Sequence, residues 1–339
     1  MEANRLETLS YMEANRLETL RFVEKDRVAV CENEILIGMS GYDYPEWKGV
    51  FYPDDLKRSD FLLYYSTVFN ALELNNTFYN MPTAERIKSF YERSEGRLSF
   101  SVKANRLLTH EIGRDWKERA TEFQSAVVPL LEKSALCAVL FQFPESFHYT
   151  KENRFYLADL ISSFKDFPCV VEVRHRDWVR ESVFEGLSER GAGIVFCDVP
   201  RLKNLPNMLG GGERTPFVGN CAYIRLHGRN AGTWYAHVPK AQTSIISNYA
   251  NGANATYCHD SESNGSARYR YDYSDEELRE FVPIVTQAAR EGNRTAVFFN
   301  NHPDGSGAKN ARKFAQMCGE REKNSATTRT VPTALAFQS

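Results

Sequence analysis

Eight apolar, strand-like segments recur along the chain, and amphipathic segments separate most of them. The strand-like segments read ILIGM, ALELNNTFY, LSFSVKA, CAVLFQFP, CVVEVRH, GIVFCD, CAYIRLH and TAVFFNN. Helix-like patterns lie at residues 59–69, 83–93, 115–132, 151–164, 179–190, 274–290 and 308–317. Strands that alternate with helices are typical of a parallel sheet with right-handed crossovers. For 339 residues, this pattern predicts an α/β fold with a single (β/α)8 barrel of the TIM type.

An open, doubly wound sheet is the alternative architecture for the same alternation. Such sheets often carry a Gly-x-Gly-x-x-Gly turn after their first strand, where it binds a dinucleotide. No such turn follows ILIGM in this sequence. The closed barrel is therefore the favoured fold, and no cofactor is predicted.

Sequence composition predicts additional segments at both ends of the barrel and within it. The nonapeptide MEANRLETL occupies residues 1–9 and recurs at 12–20, and one short copy cannot build a stacked repeat. We expect an N-terminal extension at 1–33, a barrel domain at 34–319 and a disordered tail at 320–339. A long insertion at 229–272 follows the seventh strand. It is rich in Asn, Ser, Gly and Ala, so we expect its centre to be disordered.

Charge and cysteine usage narrow the class of protein. The formal net charge of −2 argues against binding to nucleic acid through overall charge, although a local basic patch would permit it. Seven cysteines without a Cys-x-x-Cys pair are typical of a reduced, cytoplasmic protein. No apolar run reaches the roughly 18–20 residues needed to cross a bilayer, so we expect no membrane partner.

The segment CVVEVRHRDW, residues 169–178, indicates where a functional site lies. Side chains alternate along a strand, so Glu172 and Arg174 share one face, whereas His175 faces away from it. The same alternation at the other strand ends predicts that the face of Glu172 also carries Ser40, Glu73, Asn75, Ser101, Lys103, Gln142, Asp198, Tyr223, Arg225, His227, Phe298 and Asn300. In a barrel this face points inward, and its C-terminal end is where active sites of the fold lie.

Several of these residues also have a purely structural interpretation. Glu73 and Lys103 could form a cross-strand salt bridge, and Glu172 could pair with Arg174 within its own strand. His227 could be a hydrogen-bonded structural histidine, and Gln142 and Asn300 could fill buried hydrogen-bonding positions. Asp198 precedes Val-Pro, where turn formation competes with catalysis. Trp47 and Trp178 fit rim packing slightly better than a stacking wall for a ligand.

The sequence resembles the YecE-like family of TIM-barrel proteins, a family defined as a domain of unknown function. The matching pieces are GYDYPEWKGVFYP, ELNNTFYNMP, FSVKANRLLTH, LFQFPESF, VEVRHRDW, YIRLHGR, YDYSDEEL and FFNNHPDGSGAKNA, in this order from about residue 37 to 317. The resemblance implies a barrel and an intracellular protein, and it implies no reaction. The long insertion between YIRLHGR and YDYSDEEL departs from the family pattern, as does the duplicated N-terminal segment.

The charges of the inward face favour an enzyme that acts on a small anionic substrate, bearing phosphate or carboxylate, by general acid/base chemistry. In this hypothesis Glu172 and Lys103 transfer protons, Glu73 sets the protonation state of Lys103, and His227 assists or orients. Arg174, Arg225 and Arg229 hold the anion. Further substrate-binding candidates are Asn75, Gln142, Asp198 and Asn300.

Two other functions remain open at this point. A metal-assisted phosphodiesterase acting on nucleic acid would use ligands from Glu73, His110, Glu172, Asp198 and His227. The nearby cations oppose a divalent metal, and no His-x-x-x-His pair is present. Glycoside hydrolysis by Glu73 and Glu172 has weak support. A non-catalytic module that binds nucleic acid or a metabolite is the third hypothesis.

Overall fold

The strands form one closed parallel barrel. The computed structural model describes residues 35–206, 208, 221–235, 266–291 and 294–327. The eight strands pair in chain order, and the last pairs with the first. They are β1 (Ile35–Met39), β2 (Ala71–Leu74), β3 (Ser99–Lys103), β4 (Leu136–Gln142), β5 (Cys169–Glu172), β6 (Ala192–Asp198), β7 (Cys221–Leu226) and β8 (Arg294–Phe299). The predicted TIM-type barrel is therefore confirmed.

Helices follow most of the strands and cover the outside of the barrel. They are α1 (Phe61–Val68), α2 (Asn76–Tyr79), α3 (Ala84–Arg93), α4 (Trp116–Glu132), α5 (Lys151–Ser163), α6 (Glu181–Ser188), α7 (Ser266–Tyr269), α8 (Asp275–Arg290) and α9 (Ser306–Thr327). Side-chain caps fix several starts: Thr83 and Thr150 accept hydrogen bonds from N3 amides, and Ser274 forms a capping box with Glu277.

Some expectations for the additional segments lie outside the described residues. These are the N-terminal extension at 1–33, the centre of the 229–272 insertion and the end of the C-terminal tail. Helix α9 continues to Thr327, past the boundary expected at 319. None of the helices in the described part of the chain is long and apolar enough to cross a membrane.

The strand register makes the base of the barrel interior apolar and its C-terminal end polar. Residues aligned across neighbouring parallel strands point to the same side, so the pairs Glu73–Ser101, Gln142–Glu172 and Arg225–Phe298 share the interior. Below them the interior is packed by Leu36, Ala71, Ala138, Leu140, Val170, Val195, Tyr223 and Ala296. Gly38 is required here, since a Cβ at that position would lie 2.0 Å from the carbonyl oxygen of Ala71.

The register corrects one prediction about the inward face. Strand β6 pairs Cys197 with Arg225 and Asp198 with Leu226. Arg225 points into the barrel and Leu226 belongs to the outer core, so Cys197 faces inward and Asp198 faces outward. The prediction for Asp198 was wrong because both alternating sets of GIVFCD are largely apolar, and the sequence pattern does not choose between them.

A second correction concerns the end of β2, which the sequence pattern extended through Asn75. The strand ends at Leu74, and Asn75 instead precedes the short helix α2. The hydroxyl of Thr77 lies 3.0 Å from the Leu74 carbonyl oxygen and 2.6 Å from that of Lys103. These contacts hold the turn and prevent the chain from continuing as a strand.

Both tryptophans that the sequence analysis considered serve packing. Trp47 and Trp178 are buried. The indole N–H of Trp47 donates to the His302 carbonyl at 2.9 Å, and that of Trp178 donates to the Phe147 carbonyl at 2.6 Å. Trp178 also stacks on Phe147 with ring centroids 5.2 Å apart. Their rings therefore secure the loops around the barrel mouth.

Candidate active site

Arg225 is the centre of the polar site inside the barrel. Its Nη2 lies 2.6 Å from Glu73 Oε1, and its Nη1 lies 2.6 Å from Glu172 Oε2. The arginine side chain is 2% exposed, and both carboxylates are fully buried. One guanidinium therefore joins two carboxylates that come from β2 and β5, on either side of the interior.

Hydroxyl groups complete the environment of Glu73. The Tyr223 hydroxyl lies 2.8 Å from Glu73 Oε2 and 2.6 Å from the Ser101 hydroxyl, so it can donate to the carboxylate and accept from the serine. Ser40 lies 3.4 Å from Arg225 Nη2. One structural interpretation of the sequence paired Glu73 with Lys103. The structure shows no such pair, and both oxygens of Glu73 contact other residues instead.

Glu172 links Arg225 to a second arginine and to a histidine. Arg174 forms an ion pair with Glu172 Oε1 through its Nε, as one structural interpretation of the sequence required. His227 Nε2 lies 3.6 Å from the same oxygen and 3.3 Å from Arg174 Nη2. On the other side of the ring, Asn300 Nδ2 lies 2.9 Å from His227 Nδ1. We call Glu73, Glu172, Arg174, Arg225 and His227 the central cluster.

The ionisation states of the central cluster follow from these pairs. Burial alone would raise the pKa of Glu172, but the charges of Arg174 and Arg225 hold it well below its usual range. Burial and the charge of Arg174 lower the pKa of His227 to about 3, so its imidazole is neutral at pH 7. Two carboxylates thus balance two guanidiniums, and the central cluster carries little net charge.

Lys103 extends from the end of β3 into the same interior, outside these ion pairs. Its side chain is partly buried, and its Nζ lies 4.2 Å from the centre of the Phe78 ring. Among the described residues, the ammonium makes no hydrogen bond or salt bridge. Burial and the charge of Arg225 lower the pKa of Lys103 from 10.5 to about 7, despite the opposing charges of Glu172 and Glu73.

Arg229 and Asp198 belong to a separate group at the outer rim. Arg229 Nε lies 3.0 Å from Asp198 Oδ2, and its Nη2 lies 2.7 Å from Glu280 Oε2. The Tyr273 hydroxyl donates to Asp198 at 2.6 Å and accepts from the Gly228 amide at 2.8 Å. We call these residues, with Glu277, the rim network. Its contacts tie the end of β7 to helix α8.

The rim network changes the expected roles of two candidate residues. Arg229 was predicted to hold an anion, but its guanidinium already contacts three carboxylates, from Asp198, Glu277 and Glu280. Asp198 was predicted to bind substrate from the inward face, where the register does not place it. Both residues therefore fit a structural role. Arg225 is likewise paired with two carboxylates, so of the three arginines predicted to hold the anion Arg174 is the remaining candidate.

The remaining candidates lie at the edge of the central cluster. Gln142 is aligned with Glu172, and its amide Nε2 donates to the Phe143 carbonyl at 2.9 Å. Asn75 Oδ1 is buried and has no hydrogen-bond partner among the described residues. His175 caps the turn Arg176–Trp178 by accepting from the Asp177 amide, in accordance with its predicted direction away from the pocket.

Three potential metal ligands lie close together among the candidate residues. Glu172, Cys197 and His227 have ligand atoms within 4.8 Å of one another. However, Glu172 is already paired with two arginines, and the charge of Arg174 would repel a cation bound to His227. This trio therefore does not fit a divalent metal. The five ligands predicted from sequence do not converge either, because Asp198 faces outward.

Cys197 and Phe78 are site residues that sequence reasoning missed. Cys197 is buried on the inward face opposite Arg225, and a period-two count started one residue earlier would have found it. Phe78 forms the wall beneath Lys103 from helix α2. No sequence signal marked it, because ALELNNTFY reads as one continuous strand.

Comparisons with known proteins agree with this fold. A family model described as "Protein of unknown function DUF72" matches residues 36–335. The UPF0759 protein YunF of Bacillus subtilis (strain 168) is 27% identical over 295 residues, which cover 84% of this chain and 94% of the relative. The crystal structure of a DUF72 family protein from Thermotoga maritima MSB8 is 33% identical, with a TM-score of 0.69, and covers 84% of this chain and 99% of that chain.

A more distant crystal structure shares the fold. This DUF72 family protein from Enterococcus faecalis V583 is 22% identical, has a TM-score of 0.66, and covers 84% of this chain and 95% of that chain. The region matched by the family model contains Lys103 and every residue of the central cluster. The family resemblance inferred from sequence motifs is therefore confirmed, and the chain belongs to the DUF72 family.

Proposed function

We propose that the protein is an enzyme that transfers protons to and from a small anionic substrate at the C-terminal end of the barrel, with Lys103 as the catalytic group. The observation that carries this proposal is the position of Lys103. It is a partly buried lysine, directed into the barrel, for which the described residues provide no ion-pair partner. A structural lysine in such a place would normally be paired with a carboxylate.

The carboxylates nearest to Lys103 in the site are fully engaged. Glu73 contacts Arg225 and Tyr223, and Glu172 contacts Arg225 and Arg174. Because these contacts use all four carboxylate oxygens, the amine of Lys103 is available to a ligand that enters the C-terminal end of the barrel. With a pKa of about 7, it is present as both amine and ammonium at neutral pH, as efficient acid/base catalysis requires.

The other candidates fit supporting roles in this proposal. Glu172 was expected to transfer protons, but its lowered pKa makes it a weak base and its oxygens are occupied. It holds Arg174 in place instead. Arg174 then provides the contact for the anionic group, since its side chain is 10% exposed. Neutral His227 packs beside Arg174, with its Nε2 3.3 Å from Arg174 Nη2, and adds no positive charge that would repel the guanidinium.

Competitive labelling of lysines with acetic anhydride between pH 5 and 11 tests this proposal. Ordinary lysines titrate near pH 10.4, so at pH 7 Lys103 should offer on the order of a thousandfold more unprotonated amine. Labelling of the Lys103 peptide should therefore reach half its maximum near pH 7. The exposed Lys133, on the opposite side of the barrel, gives the reference rate in the same sample.

Protection by inorganic phosphate tests the anion site in the same assay. Phosphate should slow the labelling of Lys103 but not that of Lys133, and Arg174→Gln should remove this protection. A Lys103 that labels in parallel with Lys133 at every pH would refute the proposed catalytic role. Labelling near pH 7 without phosphate protection in the unmodified protein would refute a phosphate-bearing substrate, and the same result with acetate as the added anion would refute a carboxylate-bearing one.

A further inference from the structure

We propose that Lys103 forms a covalent imine with a small aldehyde or ketone that carries an anionic group, which Arg174 binds. This inference rests on the proposed function, because it uses the same lysine and the same arginine. It goes further by assigning the substrate class, an anionic carbonyl compound, and by making Lys103 a nucleophile.

The first support is the availability of the Lys103 amine. Imine formation requires a lone pair on nitrogen, which a lysine in a salt bridge does not offer. The described residues give Nζ no hydrogen bond, and the contact with Phe78 is made through the face of the ring. The charged groups that face Lys103 are Glu73 from β2, Glu172 from the end of β5, Arg174 just beyond that strand and Arg225 from β7. His110 also faces it, but burial and the charge of Lys103 lower the pKa of this histidine to about 4, so it is neutral at pH 7. The charges of the ionised groups largely cancel, so none fixes the lysine as an ammonium.

The second support is the rigid placement of the lysine backbone. The carbonyl of Lys103 accepts a hydrogen bond from the Thr77 hydroxyl at 2.6 Å, and the next amide, of Ala104, donates to the Leu140 carbonyl at 2.9 Å. The end of β3 is therefore fixed against helix α2 on one side and strand β4 on the other. A fixed backbone limits the region that the lysine amine can reach, which reduces the entropic cost of bringing it to a bound carbonyl.

The third support is the free part of Arg174. Its Nε pairs with Glu172, and its Nη2 lies 3.3 Å from His227. Within the described residues its Nη1 has no hydrogen-bond partner, and the side chain is 10% exposed to solvent. A guanidinium that is anchored on one edge and open on another suits binding of a phosphate or carboxylate oxygen.

The chemical step balances without an oxidant or a metal. The Nζ lone pair attacks the carbonyl carbon, a C–N bond forms, and the carbonyl π electrons move to oxygen. Solvent water at the mouth transfers a proton from nitrogen to that oxygen, which gives the carbinolamine. A second proton from solvent converts the hydroxyl into a leaving water. The nitrogen lone pair forms the C=N bond as the C–O bond breaks, and the protonated imine remains. Hydrolysis by the reverse sequence returns free Lys103.

Reductive trapping tests the inference on the full chain. The protein is incubated at pH 7 with sodium cyanoborohydride and one of four small aldehydes, and the modified lysines are located by mass spectrometry. Two matched pairs separate the anionic groups: glycolaldehyde phosphate against glycolaldehyde for phosphate, and glyoxylate against acetaldehyde for carboxylate. Lys103→Arg retains the charge but cannot form the imine, and Lys133→Arg is the control at an exposed lysine.

We expect at least about tenfold more adduct at Lys103 than at Lys133 with one or both anionic aldehydes, and a corresponding loss of adduct in Lys103→Arg. Arg174→Gln should remove the preference for the anionic member of each pair. The preferred pair identifies phosphate or carboxylate as the anionic group. Equal reaction of both members in both pairs would overturn the substrate class, and equal modification of Lys103 and Lys133 would overturn the imine.

The labelling assay keeps this inference distinct from the proposed function. If Lys103 labels with a midpoint near pH 7 but gives no selective adduct, the imine is refuted while proton transfer by Lys103 stands. If Lys103 labels like Lys133, both fail together. A circular dichroism spectrum of each variant that matches the unmodified protein ensures that loss of adduct does not come from loss of the fold.

Discussion

Replacement of Arg225 by methionine should strongly destabilise the protein, because it would leave a buried carboxylate without its counter-ion. Methionine fills a similar volume but carries no charge. Glu172 would keep its ion pair with Arg174, whereas Glu73 would keep only the Tyr223 hydroxyl. Both carboxylates are fully buried, so solvent cannot replace the lost guanidinium.

The expected loss can be estimated from these contacts. Removal of one partner from a buried ion pair typically costs about 3–5 kcal/mol, because the other charge stays buried and unpaired. Glu73 should bear most of this cost, so we expect a decrease of about 4 kcal/mol in the free energy of unfolding at pH 8. If the stranded charge is the cause, adding Glu73→Gln should recover about 2 kcal/mol or more of that loss.

Urea unfolding, followed by far-ultraviolet circular dichroism and tryptophan fluorescence, measures these differences. Arg119→Met is the matched control, since Arg119 also contacts two carboxylates, at 3.0 Å in Asp115 and 3.1 Å in Glu122. These groups lie on the exposed surface at the start of α4, where solvent screens ion pairs and their removal changes stability little. Equal losses in Arg225→Met and Arg119→Met would refute the reasoning. Additive effects of Arg225→Met and Glu73→Gln would show that the carboxylate is not stranded.

Three further predictions concern stability. Because Lys103 has a folded-state pKa of about 7 and the unfolded chain one near 10.5, Lys103→Met should stabilise the protein by roughly 3–5 kcal/mol at pH 6. In urea titrations this gain should disappear as the pH rises from 7 to above 10.5, and a constant gain would contradict the assignment. Gly38→Ala should lower the unfolding midpoint severely or prevent folding, since its Cβ would lie 2.0 Å from the Ala71 carbonyl oxygen; a near-normal midpoint would contradict the close strand pairing. Tyr273→Phe removes hydrogen bonds to Asp198 and from the Gly228 amide and should cost about 2 kcal/mol in urea unfolding, whereas a loss below 0.5 would show that the rim network is dispensable.

Strand alternation predicted most of the site, because the hydrogen-bond register of a closed barrel fixes which side chains at the strand ends point inward. Once Glu172 is known to face inward, the hydrogen-bond register shows that the aligned residue Gln142 also faces inward. The same reasoning applies from each strand to the next. Where a strand is apolar on both faces, as in β6, alternation does not predict which face points inward. Asp198 and Cys197 then fit either side of the strand. Alternation also fails at Asn75, where side-chain hydrogen bonds by Thr77 end the strand early.

Apart from the ion pair of Glu172 with Arg174, the pairing between the inward residues could not be predicted from the sequence. Arg225 is 152 positions from Glu73 and 53 from Glu172, so their contact depends on the closed barrel and on side-chain directions. The number of cations on the inward face predicted an anion site. In the structure most of those charges neutralise one another, because a guanidinium buried beside carboxylates is more stable when paired than when free.

The distribution of pairing therefore indicates function better than the number of charges does. A barrel interior with equal numbers of paired carboxylates and guanidiniums needs no ligand, and its central cluster stabilises the fold whether or not anything binds. Lys103 differs, because its amine forms no ion pair with those carboxylates and loses hydration through partial burial. Such a group costs stability in the empty protein, and Lys103→Met measures that cost. The presence of such an amine in the same interior as the open edge of Arg174 is explained if the two groups together bind and convert an anionic carbonyl compound.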